Sequence, residues 1–375
     1  MQDTPASHSS HALLSLFCGP GGLDQGFKDC GFVTKLAYDI DPAGVRTHRR
    51  NHVDANARVA DLSKLQVDDI VREWKVASPD ASPVGVLGGP PCQSFSVSNV
   101  HQKADDPRDD LPRHYARILK GLNDEFALDF FVFENVPGLL GAKHVEKYRQ
   151  FKDLFRECGF DIYETVLDAQ DFGVAQVRKR VFIVGLNRSK YSLPFRFPSP
   201  SGDIALTVRG AIGHLPEPTP FERGLKPADI AFHPNHWYLQ PRSAKFKQSA
   251  DALRKRKNKG RSFRCLDWDK PSYTVAYGHR EVHVHPDGGR RLSVLEALCL
   301  QGFPSHYVLE GTLSDQLRLV SEAVPPPLSA AIASELVEQL GLNCQQTAPA
   351  NDEPSPKKKR RLRQGVLSAW KSKGV

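Results

Sequence analysis

Up to about Leu186 the chain repeats one pattern: a short, nearly unbroken apolar run, a polar or glycine-bearing connection, then an amphipathic stretch. The runs are His11–Phe17 (HALLSLF), Val33–Asp39 (VTKLAYD), VGVLGG from Val84, Asp129–Asn135 (DFFVFEN) and Arg180–Leu186 (RVFIVGL), with a further short strand before Asp61. Apolar runs this short are strands buried on both faces. Between them, Leu23, Phe27 and Cys30 fall on one side of a helix, and VEKYRQFKDLFRECGF (Val145–Phe160) is another helix. Strands alternating with helices demand crossover connections, and hence an α/β fold with a doubly wound, mostly parallel sheet. The punctuation agrees: Gly31 stands at a left-handed helix cap, and Asp41 with Pro42 forms an N-cap and first helical residue.

The pattern breaks from Asn187 to about Gly289, where proline, glycine, aromatic and basic residues dominate. This predicts a second, smaller, irregular or β-rich domain. Regularity returns with Leu292–Pro304 and a helix over Leu328–Gly341, and a polar linker then leads to the basic run PKKKRRLRQ (Pro356–Gln364). The expected division is residues 1–188 completed by 311–345, then 189–310, then a disordered tail over 346–375. A length of 375 residues suits two lobes. No apolar run is long enough to cross a bilayer, and the first residues lack a basic segment and cleavage pattern, so neither a membrane span nor a secretion signal is expected. The 7 cysteines are scattered, without a CxxC pair or zinc-finger spacing to histidine. They argue for a reducing compartment, against a disulfide framework and against a metal site. A net charge of +8 favours a polyanionic partner, though charge alone does not separate nucleic acid from a merely basic surface.

The loop LFCGPGGLDQGF (Leu16–Phe27) joins the first strand to the first helix. Its glycines let backbone approach a ligand at the carboxyl end of the sheet. Gly19, Gly21 and Gly22 match neither the P-loop nor a clean G-x-G-x-x-G, so the loop alone divides between a nucleoside-cofactor site and a tight turn. Asp39 ends the second strand, where a carboxylate takes ribose hydroxyls, and Asp41 already fills the plainer role of helix start. Asp61 reads equally as an adenine amino contact or an N-cap. Cys92 follows Gly-Gly-Pro-Pro, a loop in which the ordinary small-hydrophobe role of cysteine is not expected. Pro90 and Pro91 fix the backbone there and aim a side chain. Glu134, with Asn135 and Val136, closes another strand beside the same crevice, for acid or hydrogen-bond work or else as a cap or ion pair. In QVRKR, alternation puts Gln176, Arg178 and Arg180 on one face; alone, this reads as a solvated basic edge.

The order decides. FxGxGG, PPCQSFS, ENV, QxRxR, RRLSVLEALCLQGFP (Arg290–Pro304) and AVPPPL (Ala323–Leu328) together resemble the cytosine-C5 DNA methyltransferase family, over about residues 12–342 apart from the middle of the second domain. The resemblance implies a Rossmann-like methyltransferase sheet with a target-recognition domain. It implies an enzyme that moves a methyl group from S-adenosylmethionine to carbon 5 of a cytosine flipped out of a specific duplex sequence. Cys92 matches the nucleophile that adds to carbon 6, making the ring an enamine. Glu134 matches the donor to N3, Arg180 the holder of the O2 edge and the glutamate, and Arg178 a support near the nucleophile. Phe17, Gly19, Gly21, Gly22 and Leu23 match the loop around the cofactor's methionine part. Asp39 matches the ribose acid, Ile40 the residue against adenine, Asp61 the amino contact, and Pro90 a pocket wall. Ser94–Leu119 resembles the mobile catalytic loop, and LRKRKNKGRSFR (Leu253–Arg264) suits phosphate contacts.

One departure stands out. Relatives read GNAVPPPL where this chain reads SEAVPPPL, so Ser321 and Glu322 occupy positions that approach the cofactor. A carboxylate there can repel the cofactor's carboxylate or attract its amino group or sulfonium. Ser15 also stands where an aspartate is common. Alternatives are a catalytically weak DNA-binding homologue and a tRNA-modifying relative, though the Cys-Phe-Thr of the latter is missing, Cys265 being followed by Leu266. A nicotinamide oxidoreductase is more distant still. Expected partners are double-stranded DNA and a cognate restriction endonuclease, or none in an orphan enzyme. The expected setting is a cytoplasmic, nucleoid-associated monomer, nuclear in a eukaryote.

Overall fold

The computed structural model describes residues 11–91, 110–200, 202, 206–240, 264–274 and 283–342. Cys92, most of the loop from Ser94, the run Leu253–Phe263 and the tail lie outside the described residues. The strands are β1 Ala12–Leu16, β2 Val33–Asp39, β3 Asn56–Val59, β4 Gly85–Gly88, β5 Phe130–Asn135, β6 Phe160–Asp168 and β7 Lys179–Asn187. They form a 7-stranded sheet in the order β3-β2-β1-β4-β5-β7-β6. β1 to β5 pair in parallel, and β7 runs antiparallel to both neighbours. The sequence pattern gave no sign of β6 or of the reversal. The reason is local: β6 is an edge strand whose middle carries polar, partly exposed residues, so it shows no continuous apolar run. Its short link to β7 has no room for a helical crossover, which makes the pairing antiparallel.

The order of strands reverses beside β1, which has β2 on one side and β4 on the other. The loops leaving the carboxyl ends of β1 and β4 therefore diverge around one crevice, the usual ligand position in a doubly wound sheet. The glycine loop leaves β1, and Gly89-Pro90-Pro91 leaves β4.

Alternating side chains of the central strands build the two cores. On one face Phe131 and Phe133 pack with Tyr115 and Phe155 from the helices α4 (Leu111–Phe126) and α5 (Val145–Glu157), which lie with α3 (Val67–Ala77). On the other, Phe130 and Val132 meet Leu23 and Phe27 of α1 (Gly22–Asp29). Gly31 ends α1 at φ 88°, and Phe32 N–H reaches Phe27 C=O at 3.1 Å, the expected left-handed cap. Asp41 caps α2 (Pro42–Asn51), accepting from Ala43 and Gly44 N–H at 3.2 and 2.9 Å.

Beyond β7 the described residues are irregular: a short helix α6 (Val208–Ile212), the strand pair β8 (Thr219–Pro220) with β9 (Trp237–Tyr238), and the pair β10 (Arg264–Cys265) with β11 (His283–Val284). These pack with α7 (Val294–Leu300) and α8 (Leu313–Glu322), whose N-termini carry Ser293–Glu296 and Thr312–Asp315 capping boxes. Arg290 forms a buried two-pronged pair with Glu296 at 2.9 and 2.8 Å, fixing the entry to α7.

The last helix, α9 (Pro326–Leu340), returns to lie on α1 through Leu328, Ile332 and Leu336. The approach is backbone-close. A Cβ on Gly22 would sit 2.2 Å from the Val324 carbonyl oxygen, whereas one on Gly19 would meet no protein atom within 4 Å. Gly22→Ala is therefore expected to destabilise the fold by about 2–3 kcal/mol in urea denaturation. Gly19→Ala, at φ 51°, should cost only the left-handed penalty of about 1–2 kcal/mol. Equal losses would show that the close packing at Gly22 is relaxed at little cost.

Candidate functional site

Glu134 lies in the last turn of pleat of β5, buried, with Oε1 2.8 Å from Arg180 Nε on β7. The neighbouring β4 turn is fitted to it: a Cβ on Gly89 would stand 3.1 Å from Glu134 Oε2, and Asn135 Nδ2 donates to the Pro90 carbonyl at 3.3 Å. Burial pushes the Glu134 carboxyl above its usual pKa, against the pull of Arg180 and Arg178. The crevice thus holds a carboxyl group that keeps its proton more readily than an exposed one, with a guanidinium alongside.

Exposure alternates along the stretch before β7. Gln176 and Arg178 are buried, Arg180 is mostly so, and Val177 and Lys179 face outward. The arginines do not form a solvated edge. Arg178 is fully buried and its Nη2 donates to the carbonyls of Ser321 and Ala323 at 2.7 and 2.8 Å. It grips the backbone on either side of Glu322. Residues 175–177 also pair with the irregular region, Val177 N–H reaching Ser272 C=O at 2.9 Å and Ser272 N–H reaching Ala175 C=O at 2.8 Å.

On the β1–β2 side, Phe17 and Gly19 have left-handed φ values of 55° and 51°. Asp39 receives Gly19 N–H and Asp41 N–H, both at 2.8 Å, so it ties the glycine loop to the end of β2. Burial raises its pKa, opposed by those two N–H groups. A carboxylate has about four acceptor positions, so capacity remains for a ligand's hydroxyls. Ile40 is 62% exposed beside it, and the open space over Gly19 adjoins them. Asp61 is occupied by Ser63 N–H at 3.0 Å, Ser63 Oγ at 2.6 Å and Lys64 Nζ at 3.1 Å, and the Ser63 hydroxyl lowers its pKa. These contacts are those of a turn cap. Leu23 is buried in the core under the loop, and Gly21 at φ 87° caps α1. Glu322 ends α8, 45% exposed, with Oε2 3.2 Å from Arg318 Nη1. Cys92 lies outside the described residues.

A family model, C-5 cytosine-specific DNA methylase, matches residues 11–338.

The chain belongs to this family.

Among relatives, it is 32% identical over 350 residues to Type II methyltransferase M.MthTI of Methanothermobacter thermautotrophicus, covering 88% of this chain and 97% of that protein. It is 31% identical to Type II methyltransferase M.FnuDI of Fusobacterium nucleatum, over 88% of this chain and 94% of that one. Among solved structures, an Escherichia coli prophage protein described as a putative DNA modification methyltransferase superposes with a TM-score of 0.72 at 24% identity, over 88% of this chain and 100% of that one. The family's enzyme class, DNA cytosine-5 methyltransferase, is that of this chain.

Two features of this methylase escaped the sequence. One is Arg318, whose Nη2 is 2.9 Å from Asp41 Oδ2 while Nη1 holds Glu322; its spacing of four from Glu322 on a helix was the available signal. The other is a buried polar chain under the glycine loop. Ser15 and Thr34 donate to Asp24 at 3.0 and 2.9 Å, His48 Nε2 is 3.3 Å from Asp24, and the His48 and His52 rings stack at 4.4 Å. His52 Nε2 is 3.1 Å from Tyr307 Oη, which donates to the Pro20 carbonyl in the loop itself. Since the Tyr307 proton is used there, His52 Nε2 carries the proton of the first link. A histidine pair spaced by four residues was the only hint.

Burial, with His48 beside it, holds His52 down at a pKa of about 3. Below the ordinary histidine range near 6.5, the unfolded chain takes a proton that the folded chain refuses, so stability present above pH 6.5 is lost on acidification toward about pH 3. The slope from this residue is at most about 1.4 kcal/mol per pH unit. His52→Gln should flatten the pH dependence of urea-measured stability between pH 6 and 4, within about that slope. An unchanged slope would mean that His52 is protonated in the native state.

Proposed function

We propose that this methylase transfers a methyl group from S-adenosylmethionine to carbon 5 of a cytosine flipped out of duplex DNA, through a Cys92 adduct at carbon 6. The observation that carries the reading is the buried Glu134–Arg180 pair fitted against the Gly89–Pro90 turn, which Pro91 alone separates from Cys92 in the chain. Carbon 5 is a weak nucleophile until the ring becomes electron-rich. Attack of a thiolate on carbon 6 supplies that density, which moves toward N3 and O2. A carboxyl group raised in pKa donates to N3, and a guanidinium beside it steadies the O2 edge; Glu134 and Arg180 have these properties. After transfer, a solvent base takes the carbon-5 proton, and the returning electron pair expels the thiolate of Cys92.

The residues on the β1–β2 side fit the cofactor. Asp39 offers a carboxylate for ribose hydroxyls, Ile40 an exposed apolar surface for adenine, and Gly19 open space where a side chain would stand. Bound there, S-adenosylmethionine supplies an electrophilic methyl group on a sulfonium. Arg178 acts at one remove, holding the Ser321 and Ala323 backbone rather than meeting the base. We assign target recognition to the segment 189–310; the hydrogen bonds of its Ser272 to Ala175 and Val177 support the assignment. The Type II names of the relatives support a role in restriction–modification, and we propose with it a cytoplasmic, nucleoid-bound setting.

The assay is methyl transfer from tritiated S-adenosylmethionine to duplex DNA, with bisulfite sequencing of DNA from expressing cells to locate the target. Cys92→Ala should abolish transfer and leave cofactor binding intact. Turnover retained in that variant refutes the adduct. Glu134→Gln should slow the chemical step by about 10²–10⁴-fold with little change in cofactor affinity.

A further inference from the structure

Arg318 sits among carboxylates. Its guanidinium is 2.9 Å from Asp41, 3.2 Å from Glu322 and 3.7 Å from Asp315. Asp41 is joined through its backbone N–H to Asp39, which in turn holds the glycine loop at Gly19. Glu322 cannot drift from this group, because Arg178 pins the carbonyls of Ser321 and Ala323 on both sides of it. Two residues on, Val324 packs against Gly22 of the same loop. Among the described residues, the carboxylates of Asp39, Asp41, Asp315 and Glu322 outnumber the guanidinium groups of Arg318 and Arg178 beside them, so the wall is net negative.

The two cofactor species differ in charge at one atom. The donor carries a sulfonium. Once the methyl group leaves, the sulfur keeps the electron pair of the broken bond and becomes a neutral thioether. The amino and carboxylate groups are common to both. A net negative wall distinguishes the two through that one charge.

Resting on the cofactor assignment above, we propose that Glu322, set by Arg318 and Arg178, is a specificity-determining residue that makes the pocket prefer the cationic methyl donor over its neutral product. The crowding of like charge points the same way: burial, with Asp39 and Asp41 facing it, raises the Glu322 pKa in spite of Arg318. A cationic ligand relieves that crowding and a neutral one does not. Because the Glu322 side chain is 45% exposed, solvent weakens the effect, and a single charge is expected to be worth about a three- to tenfold ratio. The consequence for turnover is that methyl transfer itself lowers the affinity of what remains bound, which favours product exchange.

The test is isothermal titration of the full-length protein with S-adenosylmethionine and with S-adenosylhomocysteine, at low and at physiological salt. In Glu322→Gln the donor-to-product affinity ratio should fall by about three- to tenfold, with product affinity changed by less than about twofold. The salt dependence of donor binding should shrink as well. Arg318→Gln removes a compensating cation and should move the ratio in the opposite direction. Equal effects on both ligands, an unmoved ratio in Glu322→Gln, or a fallen ratio in Arg318→Gln would each overturn the proposal. Wild-type protein that bound neither ligand would instead overturn the cofactor assignment, and this inference with it.

Discussion

The architecture depends on one buried guanidinium. Arg178 has no exposed surface, and an unsatisfied arginine in that position would be intolerably costly. Its Nη2 donates to the carbonyls of Ser321 and Ala323, while the backbone N–H of Arg178 donates to the Asp168 carboxylate at 2.9 Å. The contact spans more than a hundred positions of chain. It locks the end of α8 onto the link between β6 and β7, and that lock presents Val324 to Gly22 and carries α9 onto α1. Without it, the glycine loop would lose the floor against which it is folded.

From that lock a chain of polar contacts runs around the crevice. It passes from Glu322 to Arg318, to Asp41, to Asp39 and to Gly19. On the far side, Arg180 and Glu134 make a separate buried pair. The two sides treat charge differently. Glu134 has one guanidinium to itself and lies in low dielectric, so its charge is nearly balanced and its proton is retained more easily. The β2 side has more carboxylates than guanidinium groups, and it stays negative. One half of the crevice is therefore suited to giving a hydrogen bond, and the other to receiving a cation.

Much of this was legible in the chain because the central strands are short apolar runs and their helices have clear caps. Asp41, Gly31 and the strands around Asp39 and Glu134 follow directly from local chemistry. β6 was not legible, since an edge strand with polar outward residues looks like a loop to a reading based on apolar runs. The roles of Arg178 and Arg318 were not legible either. Arg178 acts on Ser321 and Ala323 and Arg318 on Asp41, partners far away in sequence; only the Arg318–Glu322 spacing was a local signal, and it says nothing of the bridge to Asp41. Asp61 shows the converse: its position fits two roles, and its local contacts with Ser63 and Lys64 belong to the plainer of them, a turn cap.

The strand order explains why these pieces meet at all. Neighbours β1 and β4 send their loops to opposite faces, because the chain leaves β1 for β2 in one direction and returns through β4 to β5 in the other. The crevice between them needs no side chain to open it, and both loops enter it at the ends of rigid strands. The glycine loop is held there by Asp39 and by Tyr307 from beneath, and the Gly89–Pro90 turn by Asn135 and by the fit of Glu134. Each loop is thus fixed by a neighbour's polar side chain rather than by its own. Substitutions in those neighbours act on the site through the position of backbone, which is why the chemistry of the crevice is distributed over residues outside the two loops themselves.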